Sequence, residues 1–456
     1  MKYLGESTAA TIFKESLLNL IVFPPSMTRI LLLCFIYFVG LFAVYFNYLH
    51  LSSNFFAFAF LYFITLIIAF PTHAISPLSI FYIYYGLWYV LAPYFAERYQ
   101  EDVLSLSEYS LALAFAYTVF GLGTICIIWG ERFAMRRSNA VVEIANIVAL
   151  STKRWVLTLY VTSSVLIVLI IFYSGGFSVW MADPGDAFLN RSGSGLFVIL
   201  SHFSSLALAS LSGYLAYTTK RKKPLIFFII WVAITSPVHG SKFQISLLIV
   251  LLFVPWIKDL RVFSVRSFVL GGSLIGIFFL GLYFRNFTWI DADTILPYSL
   301  NYFTALENLA ISVRDFDPQF MMTFFLPFVK FLTPFGISDI SMYYDMNHML
   351  TDIYYPEAWD IRATEQWPVE TDIYLNFYFV GGLPVVGVYL FFIGWIYGVA
   401  RRSNSLGAWF SAVALTLFMV SHLRGSLINH TDFYMYPYIF SMYLLLRRVS
   451  LYREKL

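Results

Sequence analysis

Three cations stand where an apolar, membrane-spanning segment is expected to end: Lys242, Arg285 and Arg424. A charge at the margin of a hydrocarbon span is costly, so an ionisable residue there is a functional candidate. Arg presents a planar fork of donors that grips phosphate oxygens in pairs, and Lys supplies a point charge. The plain alternative is that each long side chain snorkels to the interface. At Arg285 begins the stretch 285–375, which holds 13 of the 26 acidic residues, 19 aromatic residues and only four basic ones. Carboxylates there can accept hydrogen bonds from hydroxyls, and aromatic faces can cover the apolar faces of sugar rings. A phosphate near the membrane with sugars beyond it is the ligand that this mixture suits.

The elements that must position these residues are helices. The chain has 456 residues, 60% hydrophobic and 12% charged, which excludes an ordinary soluble domain and points to an all-α, polytopic membrane protein. Twelve apolar windows are long enough, or nearly so, to cross a hydrocarbon core: 28–48, 52–70, 75–93, 109–130, 155–173, 195–218, 224–238, 243–257, 267–284, 376–399, 407–422 and 433–446. The seventh and eighth are short and flank His239-Gly240-Ser241-Lys242. With the N-terminus inside, alternate connections collect 21 of the 29 Lys and Arg residues, as the positive-inside rule expects of twelve spans with both termini cytoplasmic. Lys242, Arg285, Arg314, Lys330 and Arg424 are among the eight left over. The chain divides into a bundle (1–284), a large outer loop (285–375) and a final group of spans (376–456).

Inside the outer loop, 324–335 is apolar but short and interrupted by proline, as an interfacial or re-entrant segment would be. Cys34 and Cys126 lie inside apolar windows and form no metal-ligand spacing. Asp291-Ala292-Asp293 after Trp289 resembles a metal-binding spacing, but a two-Asp spacing is common by chance and reads as hydroxyl binding or solvation; no metal is expected. No cleavable leader and no internal repeat is visible. The Gly-rich phosphate loop of a nucleotide-driven motor is missing as well.

The layout of many spans with a large outer loop before the last three, together with His239-Gly240-Ser241-Lys242, Arg424-Gly425-Ser426 and Glu370-Thr371-Asp372-Ile373-Tyr374-Leu375-Asn376, resembles bacterial O-antigen polymerases. The resemblance covers most of the chain by layout and only these pieces by residue. It implies a GT-C-like glycosyltransferase of the bacterial inner membrane with a periplasmic loop. Such an enzyme needs no cofactor and moves a glycan from one undecaprenyl-pyrophosphate carrier to the next repeat unit. Membrane lipids and a chain-length regulator protein are implied partners, and nucleic acid is not. Under the resemblance, Lys242, Arg285 and Arg424, with Arg314 as a fourth, form the pyrophosphate cradle. Trp289, Asp291, Asp293, Tyr374 and His430 then contact sugar. Related ligases carry a His before the span that follows the loop. This chain has Glu370 and Asp372 there instead, so the general base is expected to be Glu370, then Asp372, with His348 the only His of the loop. Helix N-terminal capping is the competing role for the two carboxylates. The rivals are an O-antigen ligase and a flippase or exporter of the lipid-linked unit.

Overall fold

The computed structural model describes residues 27–46, 51–95, 106–136, 152–182, 187, 194–239, 242–258, 260–286, 303, 305–332, 343–357, 365–403 and 405–447. Among them every regular element is helical, with no strand. Before the loop region come α1 (Met27–Phe46), α2 (Leu51–Ile68), α3 (Pro77–Tyr85), continued by a π-helical turn (Gly86–Leu91) and one α-turn (Ala92–Phe95), α4 (Leu106–Arg136), α5 (Thr152–Tyr173), α6 (Gly176–Ala182), α7 (Gly195–Thr219), α8 (Lys223–His239), α9 (Lys242–Ile257) and α10 (Val265–Asn286). Four short ones lie in the loop region: α11 (Ala305–Asp315), α12 (Leu326–Leu332), α13 (Met346–Tyr354) and α14 (Val369–Phe377). Three close the chain: α15 (Leu383–Ser403), α16 (Leu406–Leu423) and α17 (Asp432–Leu446).

Each of the twelve windows falls on helix, and five helices are long and apolar enough to cross a membrane: Glu108–Arg136, Thr152–Tyr173, Gly195–Thr219, Val380–Ser403 and Leu406–Leu423. A multi-pass membrane protein is built this way. Five shorter apolar helices accompany them, α8 and α9 included. Their outward faces are apolar too: Phe38, Ile67, Phe172 and Ile234 are all exposed, as side chains facing lipid would be.

Two cores hold the bundle. One gathers α1–α4, α11 and α14, the other α5, α7–α9 and α17, and α15 and α16 contribute to both. The tightest packing is between α4 and α15, which run parallel. A Cβ on Gly130 would lie 2.1 Å from the Phe391 carbonyl oxygen, and one on Gly394 would lie 2.2 Å from that of Ile127, so only glycine permits this approach. At the far end of the pair Arg401 bonds Glu131, and Arg402 donates to the Ala134 carbonyl at 3.0 Å.

At the near end the tenth window departs from expectation. Asn376 does not start the span: it belongs to α14, and the chain breaks after Phe377. Tyr378 (φ 55°) and Phe379 (φ 61°) both adopt positive φ, and the Val380 N–H donates to the Tyr378 carbonyl at 2.7 Å, closing a strained γ-turn. Phe379 stacks on Phe115 with centroids 3.8 Å apart, which holds the turn in place. The turns after α2 and α9 are built alike and meet in a bridge between His73 and Arg261, each with two serines three residues apart capping the next helix.

Candidate functional site

The loop from Arg424 to His430 joins α16 to α17 and is pinned from several sides. Tyr84 Oη donates to the Leu423 carbonyl (2.6 Å), and Asn347 Nδ2 to that of Arg424 (3.3 Å). Asp372 accepts from the Leu427 N–H (3.0 Å), and Asp432 from the Asn429 N–H (2.9 Å). Beneath it His422, fully buried, pairs through Nε2 with Asp432 (2.9 Å) and through Nδ1 with Tyr389 (2.8 Å). Backbone groups that would otherwise be solvated are thus satisfied by side chains, which fixes where Arg424 and His430 stand.

Across from this loop, α13 begins at Asp345. Its carboxylate caps the helix by accepting the His348 N–H (3.2 Å), and it also meets His348 Nδ1 at 2.8 Å and His430 Nδ1 at 3.7 Å. Burial alone would push this carboxyl up, but the two imidazoles hold it far below the usual carboxylate range. The side chains are 8% (Asp345), 19% (His348) and 46% (His430) exposed, so a buried charge supports two accessible rings. With Nδ1 engaged by the carboxylate, Nε2 is the basic nitrogen of His348. The Tyr344 ring lies 4.9 Å from His348 and 5.2 Å from His430, and Lys330 Nζ sits 4.8 Å over that ring. Lys330 belongs to the expected interfacial segment, whose Phe328 and Phe331 pack on Phe433 of α17.

Glu370 and Asp372, the residues the sequence favours as bases, are both buried in α14. The Glu370 oxygens accept from Tyr85 (2.6 Å) and Tyr89 (2.9 Å), which a π-helical turn over Gly86–Leu91 turns toward them. Asp372 accepts from Leu427 and from Asn376 Nδ2 (2.9 Å), while Asn376 Oδ1 accepts from Thr323 and Phe324. Burial raises both carboxyls to about 7; hydrogen bonds oppose the rise in each, and the charge of Asp345 adds to it at Asp372. These geometries tie the loop region to the spans.

Two polar atoms beside Arg424 are buried without a hydrogen-bond partner among the described residues: Asn347 Oδ1 and Ser426 Oγ. Arg424 is half-buried and forms no ion pair among the described residues. Asn347 and Ser426 thus carry buried, unsatisfied polar atoms on the two segments that meet at the Arg424 carbonyl, close along the chain to His348 and His430.

Of the other sequence candidates, Arg314 lies exposed at the end of α11, bonded to Asp315 at 2.5 Å and 2.8 Å. Tyr374 Oη donates to the Phe316 carbonyl at 2.9 Å and holds α11 to α14. Trp289, Asp291 and Asp293 lie outside the described residues, as do the side chains of Lys242 and Arg285, whose backbones begin α9 and end α10. Asp345, Asn347 and the tyrosines of α3 escape sequence reasoning. Asp345 alone leaves a signal, three residues ahead of His348 as a helix cap would be. Among the described residues no group of three or more His, Cys, Asp or Glu is placed to hold a metal ion. No family model, no curated protein and no solved structure matches the chain.

Proposed function

We propose that the protein is a membrane glycosyltransferase that polymerises undecaprenyl-pyrophosphate-linked repeat units into O-antigen or a related surface polysaccharide, at the periplasmic face of the bacterial inner membrane. In this reading the chain crosses the membrane twelve times and the loop region covers the outer ends of the spans. The observation that carries it is the segment at Arg424: a half-buried arginine with no ion pair among the described residues, held through its carbonyl by Asn347, which precedes His348 of the Asp345–His348 pair.

The acceptor sugar brings a hydroxyl to His348 Nε2, which takes its proton as the oxygen bonds the anomeric carbon of the donor glycan. Asp345 holds the Nδ1–H and stabilises the imidazolium that forms. The bond from that carbon to the pyrophosphate breaks, and the departing phosphate oxygens gather charge against Arg424. Tyr344 and His430 offer ring faces to the sugars. His348 therefore replaces Glu370 as the favoured base, because both Glu370 oxygens are committed to buried tyrosines.

The same His–Asp pair also favours a ligase that uses a different acceptor. The gel banding of lipopolysaccharide separates the two. Deleting the gene is expected to collapse the ladder to core plus one repeat, with rescue by the wild type but not by Arg424→Ala. Loss of the single-repeat band as well points to ligase or flippase, and an unchanged ladder removes the O-antigen reading.

A further inference from the structure

An apolar cleft of about 570 Å³ lies between α4 and α15, outside the site just described. Thr118, Cys126 and Trp129 line one wall, Val380, Gly387 and Phe391 the other. Trp129 and Phe391 meet edge to face, 5.8 Å apart, and close its floor just above the tight Gly130–Gly394 crossing. Its upper end is at Val380, directly after the γ-turn that terminates the helix carrying Asp372. At 1.5 Å per residue the wall from Thr118 to Trp129 is roughly 16 Å long. That matches one leaflet, about half of a ~30 Å hydrocarbon core.

We propose that this cleft binds the polyprenyl chain of the lipid-linked substrate, laid along α4 and α15 with its phosphate end toward the loop region. The choice of a polyprenyl chain rests on the function proposed above; the choice of a hydrocarbon chain rests on the cleft. An apolar slot within the spanning length of two helices meets only hydrocarbon, and it runs from the site's end of the bundle to mid-membrane depth, where a lipid anchored at that face puts its tail. One slot with one floor takes one chain. A polyprenyl carrier has one, whereas a phospholipid brings two. Gly387 lines the slot: a Cβ there would rest 3.5 Å from Cys126 Sγ and 3.6 Å from Leu122 Cδ2, in ordinary contact, so a side chain begins at this position without a clash and extends among the lining residues.

The test uses the full-length protein in lipid nanodiscs and undecaprenyl phosphate carrying a diazirine in its chain. Photolysis is expected to label peptides spanning 118–129 and 380–391. Gly387→Leu, which fills the slot, and Val388→Trp, which blocks it from its exposed rim, should each cut that labelling by about tenfold. Excess phosphatidylglycerol should leave it unchanged. Labelling spread evenly over outward-facing helices such as α1 and α8, indifference to both substitutions, or equal displacement by phospholipid would each overturn the proposal and leave an annular lipid groove. No turnover is needed, so the two readings fail separately. An active polymerase whose cleft does not label sinks the cleft alone, and a labelled cleft in a protein with no effect on the ladder sinks the polymerase alone.

Discussion

Replacing Glu370 with Gln separates a base from a buried clamp. The carboxyl is fully buried, and burial raises it from its ordinary 4.5 to about 7. That displacement is worth about 3 kcal/mol against the charged form in the folded protein. A raised folded value means that the native state binds more protons than the unfolded chain between about 4.5 and 7. Stability from this group is therefore fully present below 4.5 and lost as pH rises through 7. Asp372, raised in the same direction, adds to the slope. Gln keeps the shape and offers one acceptor and one donor to Tyr85 and Tyr89, and it has no charge to bury. At pH 8 Glu370→Gln should melt at or above the wild type; at pH 5 it should melt at or slightly below, by the loss of one good hydrogen bond, about 1 kcal/mol. Thermal unfolding followed by tryptophan fluorescence at pH 5, 6.5 and 8 reads the crossing. Transfer activity should survive. A variant that melts normally and loses about a hundredfold or more in rate would return Glu370 to the role of general base and refute the clamp. A wild-type pH slope unchanged by the substitution would refute the burial argument itself.

Asp345→Asn should keep α13 capped, since Asn caps as well as Asp, yet slow transfer by about 10²–10⁴ in initial-rate assays. His348→Gln should be equally slow and the double variant no slower than either, because the pair acts as a unit; a loss under about tenfold for Asp345→Asn removes the dyad from the chemistry. Gly394→Ala places a methyl where the Ile127 carbonyl already stands, and the resulting shift of α15 should cost about 1–3 kcal/mol, visible as a lowered Tm. Tyr378→Gly should raise Tm, because Tyr378 is exposed and sits at φ 55°, a conformation that costs a non-glycine residue about 1 kcal/mol. No gain there would mean that the turn is relaxed, not strained.

The helices were legible because an apolar window has to be long enough to span, and length and hydropathy are properties of consecutive residues. The same logic marked the apolar stretch that contains the short helix α12, and the two short apolar helices α8 and α9. It misplaced the start of α15, because a γ-turn stabilised by Phe115 stacking on Phe379 has no consecutive-residue signature. Glu370 and Asp372 looked available because an acidic pair ahead of a span is usually solvated. They are buried because Tyr85 of α3, Tyr89 of the π-helical turn after it and Leu427 from the last loop close over them. His348, His430 and Arg424 were visible as residues, but the Asp345 carboxylate that joins the two histidines was not. Composition and local pattern determined by themselves that this chain is a bundle of apolar helices with charge sorted to their ends. Only tertiary packing decided which of those charges meet, because bringing Asp345 to His430, or Tyr85 to Glu370, depends on how whole helices pack against one another and not on any run of neighbours along the chain.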